Sequence, residues 1–127
     1  MKAATRWAIP DGWMPSGEAH GIEGHEAICV LNLGERDAAL AITVLFEDRE
    51  PETIRGLACG AARTRHFRLD RPHELGGYEW PFETPYAAVV ESDVPVLVQH
   101  TRVDTRGGAV ALMTTLGVPL DGEEAGG

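Results

Sequence analysis

The chain has 127 residues, of which 43% are hydrophobic and 24% charged, and this balance excludes an intrinsically disordered protein. The 20 acidic and 11 basic side chains leave a formal net charge of -9, which disfavours non-specific binding to nucleic acid or to an anionic membrane. Two cysteines are too few for a secreted disulfide scaffold, and no apolar run approaches the roughly 20 residues of a membrane-spanning helix, so we expect a cytoplasmic protein.

Short apolar segments alternate along the chain with turn-forming clusters of Gly, Pro, Asn and Asp. The best-defined segment is Ala38–Phe46, in which Leu40, Ile42 and Val44 share one face of a strand. Seven further segments are of strand length: Arg6–Ile9, Glu26–Asn32, Thr53–Leu57, Thr64–Leu69, Tyr86–Ser92, Val96–Arg102 and Ala109–Leu116. This pattern predicts a single all-β domain over residues 1–120, an antiparallel β-sandwich of about seven or eight strands. The acidic, glycine-rich residues 121–127 predict a flexible tail.

The segment HGIEGHE contains His20, Glu23, His25 and Glu26, which are residue types that bind divalent metals. The spacing matches no zinc motif, and the two glycines indicate a loop that enters a strand. We therefore expect neither a metal nor a cofactor, and we keep His25 and Glu26 as candidate contacts for a ligand or partner.

The residues of common catalytic motifs are missing. The only serines, Ser16 and Ser92, lie outside any GxSxG elbow, and there is no Walker loop or GxGxxG segment. Cys29 alternates with apolar neighbours and is expected in the core, whereas Cys59 in the segment ACG is expected at a turn, where it could be exposed. These features predict a protein that is not an enzyme.

Four arginines at positions 63, 65, 68 and 71 concentrate positive charge in one segment. Arg65 and His66 are therefore candidate contacts for an anion or partner, and DNA binding through this segment is a subordinate hypothesis that the net charge opposes. Trp13 lies in a loop and could stack on a sugar or anchor an interface. The alternative is that Trp7, Trp13 and Trp80 each cover one end of the core.

The segment QHTRVDTRGG follows a purely apolar stretch and is the most informative polar motif. At the period of a strand, the side chains of His100, Arg102, Asp104 and Arg106 would project from one face. Asp104 could supply the carboxylate that both arginines need if they are buried. Together with Gln99, these residues are the main candidates for a binding or assembly site.

The order of the segments HEAICVLN, DREP, AARTRHFRL and AAVVESDVPVLVQHTRVDTR resembles the sensory rhodopsin transducer family over about residues 6 to 119. The resemblance implies a cytoplasmic β-sandwich that assembles as a homotetramer and passes a signal from a membrane receptor, a sensory rhodopsin in the first recognised member. It also implies links to DNA or to small carbohydrate-like ligands. The expected function is thus a non-enzymatic signalling adaptor; the alternative is a binding module for a carbohydrate-like or anionic small molecule, linked to transcriptional regulation through DNA. The loop at residues 71–84 matches no motif of the family.

Overall fold

The structure, a computed structural model, describes residues 2–120, so the predicted tail lies outside the described residues. These residues form an all-β domain whose strands pair antiparallel throughout. The strands are β1 (Ala4–Gly12), β2 (Glu18–Ala19), β3 (Ile22–Glu23), β4 (His25–Asn32), β5 (Ala38–Phe46), β6 (Glu52–Cys59), β7 (Arg63–Arg68), β8 (Tyr86–Asp104), β9 (Ala111–Leu116) and β10 (Val118–Pro119), with a 3₁₀ turn at Pro72–Glu74. Within residues 2–120, no helix is long and apolar enough to span a membrane.

The sandwich has two layers that share the long strand β8. In the first layer, the first half of β8 lies between β1 and β5, with β10 and β6 at the outer edges. In the second layer, the second half of β8 lies between β4 and β9, with β7 beyond β4. A separate hairpin pairs β2 with β3. The predicted all-β sandwich is confirmed.

The prediction of two separate strands, Tyr86–Ser92 and Val96–Arg102, with a turn at the intervening SDVP, is wrong, because residues 92–95 stay extended and join them into the single strand β8. Proline is compatible with an extended backbone where no ladder hydrogen bond is needed, and Pro95 is exposed at the point where β8 changes partners. Asp93 accepts a hydrogen bond from the backbone N–H of Ala39 at 2.8 Å, which holds the segment against β5.

The core lies between the layers and is built from the alternate positions of the strands. Five of the six residues that the strand pattern predicts for the core or an interface are buried: Leu40, Ile42, Val44, Val96 and Val98. The sixth, Val89, is half-buried. Trp7 is also buried, and it is the largest side chain that is fully buried in the core, rather than a cover at its end. Its indole N–H donates to the carbonyls of Ala4 and Val96, at 3.0 and 2.9 Å, which satisfies the one polar atom of the ring.

Both cysteines lie elsewhere than expected. Cys59 is the last residue of β6 and is buried, because Asn32 and the β4 backbone cover that strand end. Cys29 is only half-buried, because the inward positions of β4 are Glu26, Ile28 and Val30, which places Cys29 on the outer face. Both parities of β4 are mostly apolar, so the alternation did not distinguish its two faces.

Candidate functional site

The most unusual residue of the core is Glu26, at the second position of β4. Its side chain shares the inward face with Ile28 and Val30, and it is 0% exposed. A buried carboxylate is costly unless it is paired and hydrogen-bonded. The surroundings of Glu26 must therefore supply donors.

Four groups donate to this carboxylate. Oε1 accepts the phenolic O–H of Tyr86 at 2.6 Å, and Oε2 accepts Nε–H of Arg102 at 2.7 Å. Oε2 also lies 3.2 Å from Nε2 of His100 and 3.3 Å from the backbone N of Trp13. The O–H of Tyr86 already donates to Glu26. His100 also donates to Glu26 when its neutral ring carries the proton on Nε2, and we assign that tautomer. We call Glu26, Tyr86, His100 and Arg102 the Glu26 cluster.

The electrostatics of the cluster keep Glu26 ionised. Burial alone would raise the pKa of Glu26, but hydrogen bonds from His100, Tyr86 and Arg102 outweigh burial and hold the pKa below its ordinary value. The pKa of Tyr86 is raised well above its ordinary value, by burial first and then by the adjacent Glu26 charge. At neutral pH, the tyrosine is thus a fixed donor and the glutamate a fixed acceptor.

The Glu26 cluster connects the two layers of the sandwich. Tyr86 begins the first half of β8, whereas Glu26 comes from β4 and His100 from the second half of β8. Trp80 packs edge-on against the Tyr86 ring at 4.9 Å between centroids. On another side, a Cβ at Gly12 would overlap ring atoms of Tyr86, so only glycine fits at the end of β1.

A cavity of about 240 Å³ borders the cluster. His100 and Arg102 line it together with Asp11 from β1 and Thr115 from β9, and Ile9, Pro10, Met113 and Leu116 complete its wall. The Arg102 side chain is 20% exposed, so it reaches from the buried carboxylate toward this cavity. Polar groups of both signs beside apolar walls are the composition of a small-molecule site.

The predicted pairing of Asp104 with Arg102 is wrong, since Arg102 binds Glu26 instead. Asp104 pairs with Arg106 alone, with 2.9 Å between Nε and Oδ1, and the hydrogen bonds from Arg106 lower the pKa of Asp104 to about 2. The Arg106 guanidinium also stacks over the Trp13 ring, 4.4 Å from its centroid. A group of three contacting side chains thus lies near the end of β8: Trp13, Asp104 and Arg106.

The other predicted residues lie away from this site. His25 begins β4, and its Nδ1 is 2.8 Å from the carbonyl of Glu23. Arg65 stacks over Phe67 on β7, 4.5 Å from the ring centroid. His66 and Gln99 flank Cys29 on the outer face of the second layer. The described residues contain no group of three or more His, Cys, Asp or Glu side chains that could hold a metal ion.

Tyr86 is the member of the cluster that the sequence analysis did not identify as a site residue. It is 60 positions from Glu26, and an aromatic residue at the start of an apolar strand is typical of ordinary core packing. The available signal was weak: the strand beginning at Tyr86 lies beside a strand that ends at Gly12, where a large ring can approach the backbone.

Comparison with known proteins is consistent with this architecture. Residues 2–119 match the family model described as Anabaena sensory rhodopsin transducer. The crystal structure of Thermotoga maritima 1070 is 34% identical, with a TM-score of 0.83 over 94% of this chain and 97% of that one. A structure of the Anabaena sensory rhodopsin transducer is 38% identical, with a TM-score of 0.69 over 82% of this chain and 91% of that one. No curated protein matches the chain.

Proposed function

The chain belongs to the Anabaena sensory rhodopsin transducer family, and we propose that it is a non-enzymatic signalling adaptor that binds a sensory-rhodopsin-like membrane receptor as a homo-oligomer. The family match carries this proposal, because it covers nearly all of the described residues. The adaptor would act in the cytoplasm, where the cytoplasmic loops of a receptor are accessible. The resemblance noted in the sequence implies a homotetramer.

The chemistry of the Glu26 cluster supports a structural role rather than catalysis. Both oxygens of Glu26 are already hydrogen-bonded within the protein, and the side chain is 0% exposed, so a substrate proton does not reach the carboxylate. Tyr86, with its raised pKa, is a poor acid at neutral pH. A network that spans both layers and is satisfied internally fixes the geometry of the sandwich.

Receptor binding tests the proposal directly. A sensory-rhodopsin-type receptor of the same organism, reconstituted in lipid nanodiscs, is immobilised and titrated with the protein by surface plasmon resonance in the dark and under illumination. We expect saturable binding that differs between the two conditions, with empty nanodiscs as the control. Equal responses from empty and receptor-containing nanodiscs would contradict the proposal.

A second function is favoured by the cavity beside His100 and Arg102. Its mixed polar and apolar lining suits an anionic or carbohydrate-like small molecule. A ligand that binds only the folded state raises the melting temperature as its concentration rises. Thermal-shift measurements with sugars and organic anions, repeated with the variant Thr115→Val, test this function. If the rise in melting temperature is the same in the variant, the ligand binds elsewhere.

DNA binding has less support than either function. Arg68 and Arg71 are ion-paired with Asp70 and Glu74, at 2.8 and 3.4 Å, and the guanidinium of Arg65 lies over Phe67. Three of the four arginines of the basic segment thus have side-chain partners within the chain. The net charge of -9 further opposes approach to phosphates. If DNA retardation occurs, neutralising Arg63, Arg65 and Arg68 together should abolish it.

A further inference from the structure

The cavity beside the Glu26 cluster is lined by two groups of opposite charge that are not paired with each other. Arg102, from β8, has a side chain that is 20% exposed, and Asp11, from β1, is exposed as well. Within residues 2–120, the ion pair of Arg102 is with Glu26, and none joins Arg102 to Asp11. A ligand in this cavity can therefore contact a cation and an anion separately.

The guanidinium of Arg102 keeps donors for a second carboxylate. Its Nε–H donates to Oε2 of Glu26 at 2.7 Å, and its two terminal nitrogens make no hydrogen bond to any residue that the structure describes. A guanidinium presents its donors in a planar fork, which binds a carboxylate with two parallel hydrogen bonds. Since Nε is used on Glu26, the edge formed by the two terminal nitrogens is available to a ligand.

The carboxylate of Asp11 is the counterpart for a positively charged group. Its side chain has neither a hydrogen bond nor an ion pair in the described part of the chain. The negative charge nevertheless acts on the Glu26 cluster: the pKa of Tyr86 is raised by burial first, then by Glu26, and also by Asp11. Asp11 is thus close enough to attract a cationic group that is bound beside Arg102.

The rest of the cavity wall is mostly apolar. Ile9, Pro10, Met113 and Leu116 contribute hydrophobic surface, and the hydroxyl of Thr115 adds a group that can donate or accept. No Trp, Tyr or Phe side chain, which would stack on a sugar ring, is among the described residues that line it. The cavity of about 240 Å³ is smaller than the roughly 300–1,000 Å³ of drug-sized pockets, so it suits a ligand the size of an amino acid.

We propose that this cavity binds a small zwitterion, an amino acid with an apolar side chain, whose carboxylate contacts Arg102 and whose ammonium group contacts Asp11. The apolar wall then packs against the ligand side chain. Asp11 repels a simple anion and Arg102 repels a simple cation, so only a ligand with both charges gains from both groups. The inference rests on the second function proposed above, small-molecule binding in this cavity, and names the chemical class of the ligand.

Ligands with the same carbon skeleton test the two charges separately on the wild-type protein. Isothermal titration calorimetry compares leucine with 4-methylpentanoate, which lacks the ammonium group, and with 3-methylbutylamine, which lacks the carboxylate. Each analogue loses one charge-assisted contact, so we expect leucine to bind at least about tenfold more tightly than either analogue. Equal affinities for leucine and 4-methylpentanoate would overturn the inference.

The variant Asp11→Asn tests the ammonium contact from the side of the protein. Leucine should bind about tenfold more weakly to this variant, whereas 4-methylpentanoate should bind at least as tightly as to the wild type. The control is Glu35→Gln, which removes a negative charge from the exposed segment between β4 and β5 and should leave both affinities unchanged. Unchanged leucine binding in Asp11→Asn, or binding of glucose but not of leucine, would overturn the zwitterion alone. If leucine, 4-methylpentanoate and glucose all fail to bind, the second function is overturned as well.

Discussion

Of the residues in the Glu26 cluster, Arg102 is the one whose removal leaves the negative charge of Glu26 least compensated. In Arg102→Ala, the buried carboxylate of Glu26 keeps the donors Tyr86 and His100 but loses its cationic partner. Breaking a fully buried pair costs about 3–5 kcal/mol, and partial exposure of Arg102 reduces that to about 2–3 kcal/mol. Urea unfolding measures the loss in the free energy of unfolding. A loss smaller than that of an ordinary surface substitution would contradict the role assigned to the pair of Glu26 and Arg102.

Tyr86 allows a test of the hydroxyl alone. Tyr86→Phe keeps the ring against Trp80 but removes the bond to Glu26, and a hydrogen bond to a charged group is worth about 1.5–3 kcal/mol. The matched control is Tyr78→Phe, which removes a similar 2.7 Å bond to Glu52 in an exposed position. We expect a clearly lower melting temperature for the first variant and a small change for the second. Equal changes would mean that burial of the acceptor has no effect.

The lowered pKa of Glu26 sets the pH dependence of stability. Since the folded-state pKa lies below the unfolded value of about 4.5, the ionised carboxylate stabilises the fold above that pH, and the contribution is lost as the pH falls through the folded pKa. The difference in unfolding free energy between wild type and Glu26→Gln should therefore be largest near neutral pH and narrow below about pH 4.5. A difference that stays constant from pH 7 to pH 3 would contradict this account.

Strand β6 contains a bulge that depends on one glycine. Leu40 pairs with Leu57 and Ile42 with Ile54, so Arg55 and Gly56 together lie opposite Ala41, and Gly56 has φ of 78°. Gly56→Ala should cost about 1 kcal/mol, because a side chain disfavours this conformation. Gly107→Ala is the control, since a Cβ there meets no neighbouring atom and its φ is not in the positive region. Chemical denaturation of both variants measures the difference.

Several elements could be predicted from the sequence because local pattern and final environment agree. Ala38–Phe46 is predicted with the bounds of β5, since one parity is buried and turn residues flank it. The pattern failed where tertiary contacts decide: Asp93 and Pro95 indicated a turn, yet hydrogen bonding to β5 keeps the chain extended. The short strands β2, β3 and β10 were missed because two-residue pairings carry no periodicity.

The candidate site, too, could be predicted from the sequence only where local pattern decides. His100 and Arg102 could be identified because a polar run follows an apolar strand, and the strand period places both on one face. Their pairing with Glu26, itself a candidate residue, could not be predicted, because Glu26 lies more than 70 positions away and Asp104 offered a nearer carboxylate. Proximity in sequence favoured Asp104, whereas strand register in the folded sheet placed Glu26 directly opposite Arg102.

At the scale of the whole molecule, a strongly acidic chain holds a buried ionic cluster that connects the two layers of the sandwich. The net charge of -9 would favour the basic cytoplasmic loops of the proposed receptor. The cavity beside this cluster is lined by His100, Arg102 and, from β9, Thr115.

Sedimentation velocity of the fluorescently labelled chain, alone and mixed with receptor-containing nanodiscs, tests the proposed adaptor function most directly. The account predicts a single homo-oligomeric species, a tetramer, for the chain alone, and its transfer to the faster boundary of the nanodiscs when the sensory-rhodopsin-type receptor is present. A chain that sediments as a monomer, and at the same rate with and without the receptor, would contradict it.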